Sequence, residues 1–425
     1  IDLGHATITT NNDLDPTTST IDYDTYNPYG AIGPNTTNLT STPIYEQLCR
    51  RNIAYVPDYN EIYTPDSNQG VVTDIPFHKV THIFFGFMWA KPSQADYNTA
   101  VGQGFTYDGF YDASYLDGTL IYRNKTITES SIGFLRRVRD QYYPHLKIIV
   151  SIGGGSLSWN ISKVLADTTL RTNFVNSIVG FIKMNDLDGV DIDWEYPTQA
   201  NKAWSYADGT NDIPNYKTFL TELRAKFDAC IPKKNIEISI ISGNYQSIIS
   251  KFDGMEPYVD YINIMTYDFA GPTYNGRNPH TSLNEFLSGS NRYAKKSVEF
   301  MNTLSNFPLH RINFGTASYG YGWDGITKPG DSTNFYGTGG SPAVNFRNGD
   351  ADGTEFYNEI VKKYKADSSY VVTRDVDSSI VSLQKDNGDG TWEIWTYEDH
   401  ITAGLKAQYV IDAGIGGIFN WEITR

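Results

Sequence analysis

Cysteine is almost missing from this chain: Cys49 and Cys230 are the only two in 425 residues. A disulfide-dense scaffold is thereby excluded. The pair lacks metal-site spacing, which leaves one disulfide or two buried thiols. Positive charge is also in short supply. Lys and Arg number 34 against 49 Asp and Glu, a net charge of −15. Such a balance repels nucleic acid and anionic membranes and suits a neutral or cationic partner. No apolar run approaches the length that spans a bilayer, so no membrane partner is expected. No His/Cys cluster has ligand spacing, so neither metal nor cofactor is expected. The chain opens at Ile1 with neither Met nor a charged-then-apolar leader. That is what a processed or trimmed product shows, and a secreted protein is expected.

What is abundant is the aromatic side chain, 14% of the total with 31 tyrosines. Amphipathic rings in this number suit a surface that stacks on sugars, although core and interface tyrosines are the plainer explanation. Four glycosylation sequons, at Asn35, Asn38, Asn124 and Asn160, are about what chance gives in a chain rich in Asn, Ser and Thr.

Residues 1–47 are dense in Thr, Asn, Asp and Pro without apolar periodicity, and read as an extended arm or linker. From about Arg51, short apolar runs alternate with amphipathic stretches. Strands are expected at Ile53 to Val56, Val80 to Met88, Lys147 to Ile152, Gly189 to Trp194, Ile236 to Ile241, Tyr261 to Thr266, Ile312 to Ser318 and Gly416 to Trp421. Helical stripes fall between them: Phe174, Ile178, Phe181 and Ile182; Phe219, Leu220, Leu223 and Phe227; a helix around Tyr293 to Leu304; and Ile401, Leu405 and Tyr409. About eight strand–helix alternations close a parallel (β/α)8 barrel, a TIM barrel. The open doubly wound sheet is the alternative, but no glycine-rich phosphate fingerprint follows the first strand. Residues 323–397 break the rhythm with Gly/Asp/Asn turns and short β-rich runs. They read as a small α+β domain inserted after the seventh strand, with the barrel in 48–322 and 398–425.

The most informative segment is Asp188-Gly189-Val190-Asp191-Ile192-Asp193-Trp194-Glu195-Tyr196-Pro197. Asp191, Asp193 and Glu195 are two apart and share one face of a strand, while Val190, Ile192 and Trp194 take the other. Inside a barrel the acids line the interior and rise toward the C-terminal mouth. Asp188 has the other parity and is expected to fix the backbone at the strand start. Three carboxyl groups on one inward face cannot all ionise freely, so at least one pKa rises, as a general acid requires. A solvent-facing acidic strand end is the bland alternative, and the apolar opposite face argues against it.

The segment resembles the Asp-x-x-Asp-x-Asp-x-Glu signature of family 18 glycoside hydrolases at every fixed position. Ser151-Ile152-Gly153-Gly154 resembles the third-strand motif of that family, Met265-Thr266-Tyr267-Asp268 the sixth, and Gly417-Ile418-Phe419-Asn420-Trp421-Glu422 the last. Ala54-Tyr55 and His82 to Phe87 resemble the first two strands. The likeness implies a chitinase with Glu195 as acid and the substrate's own acetamido oxygen as nucleophile, a substrate-assisted route. It implies that Asp193 hydrogen-bonds the acetamido N–H, that Asp191 shares a proton or hydrogen bond with Asp193, and that Ser151 holds Asp191. Tyr267 would donate to the acetamido oxygen, Asp268 would position the sugar, and Trp421 would floor it. Met265, Tyr55 and Phe87 are expected against the substrate, a chitin or chito-oligosaccharide chain, with Trp89 a further stacking candidate. Gly153 and Gly154 are supporting positions; a glycine run is by itself more often a tight turn.

Two departures stand out. Gly155 takes the place where many relatives carry a stacking Trp, with Trp159 a substitute or a packing residue. Tyr321 stands where relatives often carry Arg. Rival readings are a catalytically silent lectin on the same barrel, an endo-β-N-acetylglucosaminidase, and a chitinase subunit of a toxin.

Overall fold

The computed structural model describes residues 50–58, 75–102, 111–199, 209–232 and 234–423. The expected arm at 1–47, the sequons at Asn35 and Asn38, and Cys49 lie outside these residues. Cys230 is a free, half-buried thiol. Asn160 is only 2% exposed, so the folded chain closes that sequon.

Eight strands form the barrel: β1 (Arg51–Pro57), β2 (His82–Ala90), β3 (Lys147–Gly153), β4 (Gly189–Asp193), β5 (Glu237–Ser242), β6 (Tyr261–Ile264), β7 (Ile312–Ala317) and β8 (Gly417–Trp421). Each pairs in parallel with the next, and β8 returns to β1 to close the ring. Alternation along each strand sorts the side chains into two compartments. In β1, Ile53 and Tyr55 join the interior, with Phe84, Ile149, Ile241 and Phe419. Ala54 and Val56 instead join the larger shell beneath the helices. In β4, Val190 and Ile192 point into that shell, so Asp191 and Asp193 face inward.

Helices Thr168–Met184 and Asp212–Cys230 bury the expected stripes, Phe174, Ile178, Phe181 and Ile182 in one and Phe219, Leu220, Leu223 and Phe227 in the other. Each such side chain contributes about 1.5–3 kcal/mol on leaving water. Asp167 starts the first of these helices by accepting from the N–H groups of Thr169 and Leu170.

The last helix, His400–Asp412, packs Leu405 and Tyr409 half-buried against the shell as expected, but its deepest face lies one position further on. Its buried positions are Thr402, Lys406 and Val410, whereas Ile401 is 39% exposed. The cause is an ion pair that hydropathy does not register. Lys406 is fully buried with its ammonium 2.8 Å from Glu398, and it also donates to Thr281.

After β7 the chain builds a six-stranded antiparallel sheet with one helix, Tyr357–Ala366, against it. The first strand of this sheet, Tyr319–Thr327, leaves β7 after a single residue, so the sheet begins at Tyr319 rather than at 323. Two apolar clusters support it, one around Trp395 and Leu383 and one around Trp323 and Ile394. Among the described residues no helix is long and apolar enough to cross a membrane.

Candidate active site

Asp191 lies at mid-height in the barrel and is fully buried. Four neighbouring side chains donate to it. Ser239 (2.6 Å) and Asn263 (3.3 Å) reach Oδ1, and Ser151 (2.8 Å) and Tyr55 (2.9 Å) reach Oδ2. Burial raises its pKa and these donors oppose the rise. Asp193, one pleat higher, has no such relief. It is 4% exposed, and its Oδ1 has no hydrogen-bond partner among the described residues. Burial first, then the charges of Glu195 and Asp191, push its pKa well above the ordinary carboxylate range. Of the pair, Asp191 is built to carry the charge and Asp193 the proton.

Glu195 ends the row. Its carboxyl opens into a cleft of about 650 Å³ shared with Gly155, Tyr196, Met265, Tyr267 and Asp268. Burial and then the charge of Asp268 raise its pKa to about 7, against a lowering hydrogen bond with Tyr196. A carboxyl tuned in this way keeps a proton near neutral pH and takes it back readily.

Close backbone approaches hold the row in place. The N–H of Glu195 donates to the Ser158 hydroxyl at 3.0 Å, and that hydroxyl lies 2.9 Å from the carbonyl of Asp193 and 2.8 Å from that of Gly154. Gly153 and Gly154 have φ of +110° and +80°. A Cβ at Gly153 would lie 2.2 Å from the Asp193 carbonyl oxygen, and one at Gly154 would lie 3.1 Å from the Phe87 ring. A side chain at Gly153 would push the tips of β3 and β4 apart, and one at Gly154 would have to displace the Phe87 ring of β2. Gly155 has no such constraint: a Cβ there would lie 3.9 Å from the Glu195 carboxylate, an ordinary contact.

On the far wall, the amide of Asn244 donates to the carbonyls of Met265 (2.8 Å) and Tyr267 (2.6 Å), fixing the tip of β6. Asp268 accepts from the Tyr319 hydroxyl at 2.6 Å. Trp421 is half-buried, edge-on to Tyr55 (ring centroids 5.7 Å) and tilted against Phe87 (5.6 Å).

The sequence-selected residues thus fall into groups. Glu195, Met265, Tyr267 and Asp268 line the cleft. Asp191, Asp193 and Ser151 lie beneath it. Tyr55, expected against the substrate, is 2% exposed and serves Asp191 instead. Asp188 sits at the foot of β4, where its carboxylate accepts from the Ile148 N–H and from Arg139, both at 2.9 Å.

Trp89 is a correction. It is 0% exposed and packs with Ala100, Ile121, Leu157 and Trp159. β2 runs on past the mouth to pair antiparallel with Leu120–Tyr122, Trp89 opposite Ile121, so this ring joins a side core and reaches no sugar. Trp159, 4% exposed in the same cluster, is likewise a packing residue. Sequence reasoning missed Ser158, Ser239, Asn244 and Asn263. It also missed Tyr245 and Tyr274, two rings that are 36% and 40% exposed in the cleft wall.

Among the described residues no group of three His, Cys, Asp or Glu side chains is placed to hold a metal. The arrangement suits proton transfer: a carboxyl poised near neutrality stands above two buried aspartates, the upper one pushed strongly toward its protonated form and the lower one relieved by four donors.

Comparison with known proteins agrees with this architecture. Chitinase A1 of Niallia circulans is 28% identical over 300 residues, covering 67% of this chain and 41% of that protein. A probable endochitinase of Orgyia pseudotsugata multicapsid polyhedrosis virus is 31% identical over 289 residues, covering 66% and 50%. The chain spans about half the length of the curated relatives it matches. Among solved structures, chitinase ChiA74 from Bacillus thuringiensis superposes with a TM-score of 0.73 at 22% identity, covering 88% of this chain and 66% of that one. The Group IV chitinase of Ostrinia furnacalis in complex with allosamidin gives 0.70 at 20% identity, covering 88% and 92%. At such identities these two show the shared fold. The sequence model of glycosyl hydrolases family 18 matches residues 51–425, and the chain belongs to that family.

Proposed function

We propose that the chain is a chitinase that hydrolyses β-1,4 bonds between N-acetylglucosamine units with retention, through an oxazolinium intermediate. The observation that carries this reading is the position of Glu195: its carboxyl faces the cleft with a pKa near 7, directly above the proton-bearing Asp193. Glu195 gives its proton to the glycosidic oxygen as the C1–O bond breaks. The acetamido carbonyl oxygen of the same sugar attacks C1, forming the cyclic cation. Asp193 accepts a hydrogen bond from the acetamido N–H once its own proton turns toward Asp191, and the charge on that pair stabilises the ring as it becomes cationic. The Tyr267 hydroxyl donates to the acetamido oxygen, and Asp268 and Met265 hold the sugar. Trp421, buttressed by Phe87 and Tyr55, provides the apolar floor. Water then attacks C1 from the face the leaving group vacated while the Glu195 carboxylate takes its proton, which restores the β-configuration.

The open ground at Gly155 shifts the stacking role on the leaving-group side to Tyr245. The Arg292 guanidinium lies 4.6 Å from its ring centroid, and Asn275 donates to its hydroxyl at 3.1 Å. A ring held in this way binds a sugar with little further ordering cost. The polymeric substrate places the activity outside the cell.

Incubation with a hexasaccharide of N-acetylglucosamine, followed by NMR of the initial anomer, tests the reading. Products that are first β and mostly disaccharide are expected. α-Anomeric products would reject the substrate-assisted route, and saturable binding without cleavage would favour a lectin.

A further inference from the structure

His280 is 0% exposed, and neither of its ring nitrogens has a hydrogen-bond partner among the described residues. An imidazole always presents at least one N–H, and a buried donor left unpaired is costly. The ring is held between Tyr319 and Tyr321, with centroids 5.2 and 5.0 Å away. Its backbone is fixed as well, since the Phe269 N–H donates to the His280 carbonyl at 3.1 Å. The adjoining Thr281 donates to Glu398 at 3.0 Å, whose charge is matched by Lys406. One acceptor lies close by. Oδ1 of Asp268 is 3.9 Å from Nδ1 of His280, just beyond hydrogen-bond range.

Asp268 is the member of this pair with room to move. Its side chain is 40% exposed, and its φ of +58° is one that non-glycine residues seldom adopt. Besides His280 it is faced by the hydroxyls of Tyr319 and Tyr321 and by Glu195, Tyr267 and Tyr274. Its own loop carries it into the cleft wall beside Glu195.

Resting on the hydrolase reading above, we propose that His280 is a positioning residue: with a sugar in the cleft, its Nδ1–H donates to Asp268 and holds that carboxylate beside Glu195. The fixed imidazole thereby sets where the charge of Asp268 lies. That charge is, after burial, the main contribution keeping the proton on Glu195. Without the imidazole only the Tyr319 and Tyr321 hydroxyls restrain the carboxylate, so in the sugar complex it drifts toward solvent and Glu195 surrenders its proton at lower pH.

The test is the pH profile of kcat at saturating N-acetylglucosamine hexasaccharide, which reports the sugar-bound enzyme, for wild type, His280→Leu, His280→Asn and His280→Gln, with thermal melts of each. The Asn amide places a donor where Nδ1 lies, and the Gln amide places one where Nε2 lies. His280→Leu and His280→Gln are expected to move the alkaline limb down by roughly half a pH unit to one unit. Their kcat should fall about tenfold, while His280→Asn keeps the wild-type limb. A purely structural role would lower the melting temperature and leave the limb in place. If Leu fails to fold, the Asn–Gln contrast decides, and identical limbs for those two overturn the proposal. Wild type that cleaves nothing at any pH overturns the chitinase reading and this one with it. Cleavage with a limb indifferent to His280 overturns this one alone.

Discussion

Glu237 begins β5 at the foot of the barrel, and Glu195 follows β4 at its mouth. Burial acts on both in the same direction, but their neighbours differ. Glu237 accepts from the Tyr261 hydroxyl at 2.9 Å, sits 3.0 Å from His82 Nε2 and pairs with Lys147. Burial alone would raise its pKa; these partners outweigh it and hold the value at about 2. His82 is itself pushed down by burial. At neutral pH it therefore serves as an N–H donor, and the charge balance comes from Lys147 and nearby Arg51. Glu195 meets Asp268 instead of a cation and rises to about 7. One fold thus holds one glutamate as a permanent anion and the other as a transferable proton, and the local partners make the difference. In barrels of this kind, the foot of the strands serves stability and the mouth serves chemistry.

The largest expected effect separates the two ends by function. Glu195→Gln removes the proton donor and should lower kcat on the hexasaccharide by roughly 10²–10⁴-fold, with affinity for the sugar by calorimetry largely intact. Glu237→Gln, measured alongside, should keep kcat within about threefold as long as the chain is folded. A Glu195→Gln variant of near-full activity removes the case for this acid.

The same two substitutions should move stability in opposite directions. Glu237 has a folded pKa below its ordinary 4.5, so its contribution is present above pH 4.5 and fades as pH falls toward 2. Part of that shift comes from a charged His82, which is neutral at pH 7, so the contribution there is at most about 3 kcal/mol, and more is lost if Lys147 and Tyr261 are left unpaired. Glu195 has the reverse sign. Its folded pKa lies above 4.5, so stability declines as pH rises from 4.5 through 7. Discounted for the exposure of the cleft, relieving that burden is worth about 1–2 kcal/mol. Thermal melts at pH 4 and pH 8 should therefore show Glu195→Gln above wild type at pH 8 and level with it at pH 4. Glu237→Gln should lie below wild type at both, with the smaller gap at pH 4. Equal signs at pH 8 would break the comparison.

A third substitution acts only at the mouth. Asp268→Asn deletes the charge that, after burial, most raises the Glu195 pKa. The alkaline limb of kcat/KM should descend by about one pH unit, and an unmoved limb would leave burial as the whole cause.

How much of this was legible beforehand follows from the range of each signal. The acid row was readable because a period of two is local: five consecutive residues fix which of Asp191, Ile192, Asp193, Trp194 and Glu195 share a face. The barrel was readable because its strands are near-continuous apolar runs. The donors around Asp191 were not all readable. Ser239 and Asn263 are small polar residues on other strands, and only the closed register brings them to one point. His280 sits in a loop with no motif to mark it. Lys406 reads as a surface residue until Glu398, eight positions earlier, is seen to bury with it. Trp89 misled for the opposite reason, since its position just past the expected strand Val80 to Met88 suggested the mouth, while an antiparallel pairing outside the barrel claimed it.

The smallest expected effect concerns the wall that replaces a missing ring. Tyr245 keeps 36% of its surface free while Arg292 and Asn275 hold it in place. A stacked sugar there is gripped equally before and during bond cleavage, so its loss should raise KM without lowering kcat. Ring stacking contributes about 0.5–1.5 kcal/mol, which makes Tyr245→Ala roughly a two- to tenfold rise in KM on the hexasaccharide. Gly155→Trp in the Tyr245→Ala background sharpens the point. Its Cβ meets only the Glu195 carboxylate, at 3.9 Å, so the new ring has room beside the acid and should recover part of the lost affinity. If the two rings prove unable to substitute for each other, the leaving-group sugar lies elsewhere, and the opening at Gly155 has a purpose other than exchanging one platform for another.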